Sequence, residues 1–105
     1  MKGAVRMHDL QEELKLRWTN MFTSLADGGD VPPTQRLRTE GMMEAVAMLE
    51  FASSEQLVQA MDECYQVAFG QDIAADFGDN WQDFYPFPQI PAMGKRAPVY
   101  PSTPE

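Results

Sequence analysis

The chain has 105 residues, with 8 Lys and Arg against 16 Asp and Glu, and a single His and Cys. That length holds one hydrophobic core rather than two, and an apolar fraction of 44% is enough to build it. A net charge of −8 argues against direct binding to nucleic-acid phosphates or anionic lipid, and no apolar run approaches the ~18 residues that span a bilayer.

The opening residues Met1 to Asp9 lack the continuous apolar stretch of a secretion signal. Cys64 has no second cysteine to pair with, which fits a reducing cytoplasm. From Met7 to Leu25, the apolar residues Met7, Leu10, Leu14, Trp18, Met21, Phe22 and Leu25 recur at steps of three and four. Such spacing predicts an amphipathic helix with one buried stripe, stopped at Asp27-Gly28-Gly29-Asp30 by residues that favour a left-handed cap and a turn. Pro32 and Pro33 then make a rigid connector.

A second helix is expected from Thr34 or Gln35 to Ala52, with Leu37, Met42, Ala45, Val46, Leu49 and Phe51 as its apolar set and Met43 and Met48 flanking them. Gly41 inside it costs ~1 kcal/mol relative to Ala, so either another helix packs closely there or the helix begins near Met42. Ser53-Ser54-Glu55-Gln56 carries a capping-box pattern. It opens a third helix with Leu57, Val58, Met61, Tyr65, Ala68 and Phe69 on one face, ending at Gly70. A short helical turn from Asp72 to Phe77 follows and closes at Gly78.

From Trp81 the prolines at 86, 88, 91, 98, 101 and 104 disfavour helix and predict extended backbone. Trp81, Phe84, Tyr85, Phe87 and Ile90 are too apolar to be left in water. This segment either wraps across the helices or docks on a partner, as proline-rich peptides do. The expected fold class is all-α: a small three-helix bundle with a short fourth helical turn and an extended, Pro- and aromatic-rich C-terminal segment. Residues 1–91 are read as one helical domain including the aromatic wrap at 81–91, and 92–105 as a mobile Pro-rich tail.

Between Thr39 and Gly94 there is no Lys or Arg, while Glu40, Glu44, Glu50, Glu55, Asp62, Glu63, Asp72, Asp76, Asp79 and Asp83 all fall there. This layout is either a solvated acidic surface or a field arranged to meet a basic partner. Carboxylates spaced along helices can also imitate a phosphate backbone. Catalytic chemistry finds little support: His8 and Cys64 sit on different helices, and adjacent pairs such as Glu12-Glu13 do not face each other across a cleft. Asp72, Asp76, Asp79 and Asp83 lack the alternating spacing of a calcium loop. No glycine-rich phosphate loop, GxSxG, HExxH or paired CxxC is present.

The expectation is therefore a non-catalytic, cytoplasmic protein-binding module, that is, a small acidic adaptor, inhibitor or regulator with no cofactor and no metal. Its partner is another protein, basic or otherwise, with homo-oligomerisation as a further option. The alternative is an acidic nucleic-acid-mimic decoy that occupies a nucleic-acid-binding protein. The candidate contact residues are Met42, Met43 and Met48 for an apolar face, Glu40, Glu44, Glu50 and Asp62 for an acidic one, and Trp81, Phe84 and Phe87 from the aromatic segment. Methionine suits such a role because its unbranched thioether adapts to irregular surfaces.

Overall fold

A computed structural model of the protein describes residues 7–92, with side chains from Asp9 onward. The side chains of Met7 and His8, and residues 93–105 of the stretch expected to be a Pro-rich tail, lie outside what is described. The described chain is all-α: α1 (Met7–Ala26), α2 (Pro33–Met48), α3 (Ser54–Phe69), α4 (Ile73–Phe77) and α5 (Trp81–Phe84). No strand occurs among these residues.

Helix α1 buries Leu14, Trp18, Met21, Phe22 and Leu25, the stripe that its three- and four-residue spacing dictates. It packs mainly on α3 and to a lesser degree on α2. Helix α3 opens with the expected capping box: the Ser53 hydroxyl accepts from the Gln56 amide at 3.0 Å, and the Gln56 side chain accepts from the Ser53 amide at 2.9 Å. It closes on Gly70 in left-handed geometry at φ 82°. Leu57, Met61 and Tyr65 form its buried face.

Helix α2 departs from expectation in both its face and its end. The buried stripe is Thr39, Glu40, Met43 and Val46, whereas Leu37 and Leu49 are 56% and 59% exposed. Two polar residues in the buried stripe explain the difference, because hydropathy periodicity cannot register them. Thr39 is satisfied by donating to the Gln35 carbonyl at 2.9 Å. The helix also stops four residues earlier than expected, since Glu50 adopts φ 59°. The Glu50 and Phe51 amides then donate back to the Ala47 and Val46 carbonyls at 3.0 Å each, the paired bonds of a Schellman end with glutamate in the place usually held by glycine.

The C-terminal segment returns to the core. Trp81, Ile90, Pro91 and Ala92 are buried, and the Ile90 amide donates to Glu40 Oε2 at 2.8 Å. Trp81 to Phe84 forms one helical turn where extended chain was expected, because the first proline is five residues on at Pro86. Packing continues through Ala92, one residue into the stretch expected to be a tail.

Tyr65 sits at the centre of an aromatic chain. Its ring packs edge-on against Phe22 (5.1 Å) and Phe77 (6.3 Å) and stacks on Phe69 (4.4 Å), while Phe77 continues to Tyr85 at 5.7 Å. The Tyr65 hydroxyl donates to Asp76. One ladder of rings thus joins α1, α3 and α4 to the chain after α5.

Candidate interaction face

The structure separates the candidate contact residues into those that build the fold and those on the surface. Met43 is wholly buried, and Glu40 is only 7% exposed. Glu40 Oε2 accepts both from the Arg36 guanidinium at 3.0 Å and from the Ile90 amide at 2.8 Å. Neither residue is presented to a partner, in contrast to the sequence expectation. Trp81 is likewise buried, and Met42 and Phe87 are half-buried against the core.

Asp62 is partly buried and accepts from the Ile73 amide at 2.9 Å, tying α3 to the start of α4. Burial raises its carboxyl above the usual aspartate range; the Ile73 amide opposes that rise, and the neighbouring charges of Asp72 and Glu63 add to it. Met48 (77% exposed), Phe84 (68%), Glu44 and Glu50 do face outward.

What remains exposed on α2 forms a coherent surface. Leu37, Gly41, Glu44 and Met48 are spaced by four, three and four, so they share one helix face. Leu49, the C-cap residue, is exposed to one side of that face. All five are exposed. A Cβ placed on Gly41 would meet no atom within 4 Å, so this glycine makes no room for anything within the described fold. Other exposed apolar residues, Leu16, Val67 and Phe84, lie singly on other elements, which is ordinary for a soluble surface. The α2 face was hidden from sequence reasoning because Leu37 and Leu49 were counted into the core.

Of the ten acids between Glu40 and Asp83, four are engaged by the fold itself: Glu40, Asp62, Asp72 through the Ala75 amide, and Asp76 through Tyr65 and Gln71. Their carboxylates accept from intramolecular donors and so brace the fold.

Among the described residues, no group of three or more His, Cys, Asp or Glu side chains is placed to hold a metal ion. Cys64 is half-buried with its thiol 3.9 Å from the Lys15 carbonyl. A cavity of about 40 Å³ between α1 and α3 is lined by Leu14, Trp18, Leu57 and their neighbours. The Trp18 indole N–H is buried with no acceptor. An open groove beside the α1–α2 connection brings Arg17 and Arg38 to one edge, but Arg17 is paired with Glu13 at 2.9 Å. No described helix is long and apolar enough to cross a membrane. Comparison with protein-family models, with curated proteins and with solved structures finds no match.

Proposed function

We propose that this chain is a non-catalytic, cytoplasmic protein-binding module that docks a partner protein on the outer face of α2. The observation that carries this reading is that Leu37, Gly41 and Met48 are all exposed on one face of α2, with the carboxylate of Glu44 between them and Leu49 and Glu50 exposed just past the helix end. Exposed leucine and methionine side chains in a row are costly in water and gain on being covered. Methionine and glycine also let a partner approach closely and adapt. The flanking acids favour a partner with basic residues around an apolar centre, since complementary charge steers encounter and rejects like-charged competitors.

The test compares the wild-type chain with Met48→Asp and Leu37→Asp in affinity capture from host lysate, washed at low and high salt. Both substitutions lie on an exposed face and leave the core intact. The expected result is one protein retained by the wild type at high salt and lost with either variant. Equal recovery by all three chains would overturn the reading. A basic nucleic-acid-binding protein that is insensitive to both variants and leaves at high salt would support the decoy alternative instead.

A further inference from the structure

We infer that the groove beside the α1–α2 connection is a binding site for a small phosphate monoester. The inference goes beyond the docking reading above, which concerns the outer face of α2 and a protein partner.

The groove has a volume of about 310 Å³ and is lined by Arg17 of α1 together with Pro32, Thr34, Gln35 and Arg38 at the start of α2. Small-molecule sites occupy roughly 300–1,000 Å³, so a small ligand fits and a large one does not. The lining carries hydrogen-bond donors and no carboxylate. Of the cations among the described residues, Lys15 is paired with Glu12, Arg17 with Glu13 and Arg36 with Glu40. Arg38 has no acid partner among the described residues. Arg17 meets Glu13 through Nε, which leaves both of its Nη nitrogens for the groove. Thr34 and Arg38 are one turn apart and so lie on the same side of α2. The Thr34 hydroxyl and the Gln35 carboxamide make no hydrogen bond among the described residues.

The donor set selects the ligand. Two guanidinium groups from different helices suit a phosphate monoester, with about two negative charges and three acceptor oxygens. A carboxylate is satisfied by one guanidinium fork. Glu13 takes up part of the Arg17 charge, so Arg38 carries the larger share of the attraction. The net charge of −8 limits the ligand's size. A polyanion meets the repulsion of the whole acidic chain, whereas charges beyond about 8 Å are largely screened at physiological salt, so a small ester responds mainly to the groove.

The experiment titrates the full chain with phenyl phosphate at fixed ionic strength, followed by amide and arginine Nε–H NMR. Benzoate, the same ring with a carboxylate, is titrated in parallel. The expected result is saturable shifts at Arg17, Thr34, Gln35 and Arg38, with benzoate about fivefold weaker, the scale of one exposed ion pair. Arg38→Gln is expected to weaken phenyl phosphate binding about tenfold, the scale of one charge-assisted hydrogen bond. Arg38→Lys keeps the charge without the fork and falls between. Arg38 is exposed, so both variants keep the fold, checked by unmoved amide signals of the core residues Leu57 and Met61. No shift at the groove, equal affinity for benzoate, or binding unchanged by Arg38→Gln would each overturn the inference. None of these readouts needs a protein partner, so this site and the docking reading fail separately.

Discussion

A carboxylate at a site as closed as that of Glu40 is stable only if its oxygens find donors, and here Oε2 takes both. One comes from Arg36 a turn earlier, the other from an amide fifty residues on in sequence. Replacing Glu40 by Leu leaves the Ile90 amide and a half-buried guanidinium without an acceptor, and the expected loss is about 2–4 kcal/mol in urea unfolding. Glu40→Gln keeps an acceptor for Ile90 and is expected to cost only about 1 kcal/mol. Glu50 presents the opposite case. Its positive φ suits glycine, and its charge lies at the unfavourable end of α2. Glu50→Gly is therefore expected to stabilise the chain by about 1 kcal/mol, read as a rise in the urea midpoint with an unchanged slope. For Asp62 the raised carboxyl means that the folded state binds its proton more readily than the unfolded state. Its ionised form therefore weakens the fold at neutral pH, and that penalty disappears as pH falls below the ordinary aspartate range. Asp62→Asn can still accept from Ile73, so it should melt higher than wild type at pH 7, with the gap closing as the pH falls through the carboxylate range.

At the scale of elements, α2 is the helix that leaves Leu37 and Met48 exposed on its outer face. Gly41 lies in its middle with open space around it, so Gly41→Ala should raise stability by about 1 kcal/mol through helix propensity alone. If a partner helix packs closely there, the same methyl group weakens capture while strengthening the fold. A stability gain smaller than about 0.3 kcal/mol in thermal melts would show that the Gly41 position is not open to a methyl group. How legible each element is in the sequence follows from its chemistry. Helices α1 and α3 bury apolar residues only, and α3 is bounded by a Ser-x-x-Gln box and a glycine, so spacing and caps locate both. In α2 the buried stripe includes Thr39 and Glu40, and its terminating residue is a glutamate. Hydropathy therefore selects Leu37 and Leu49 for the core and runs the helix on to Ala52. The candidate site inherits that misassignment. Met48 and Glu44 are on the surface as expected, but Met43 is in the core, and Glu40 is internal because it meets the Ile90 amide fifty residues on, which no local pattern encodes.

Across the whole molecule, the decisive packing comes from a segment with almost no regular structure. Trp81, Ile90, Pro91 and Ala92 close the core over helices that are otherwise joined by short connections. The aromatic ladder from Phe22 through Tyr65 and Phe77 ends on Tyr85 in the same segment. Burying Trp81 and Ile90 contributes roughly 4–6 kcal/mol at ordinary transfer values. The amide bond to Glu40 adds about 1 kcal/mol. A domain of this length has a total stability of about 5–15 kcal/mol, so the segment's share rivals the whole at the lower end. Truncation after Asn80 is therefore expected to abolish cooperative thermal unfolding by circular dichroism and to expose surface that binds a hydrophobic dye. Truncation after Ala92 retains every side chain that is buried among the described residues and should melt cooperatively within a few degrees of the full chain. A cooperative melt for the chain ending at Asn80 would show that the three long helices stand alone, and would free Trp81 and Phe87 to join the exposed Phe84 as contact residues for a partner.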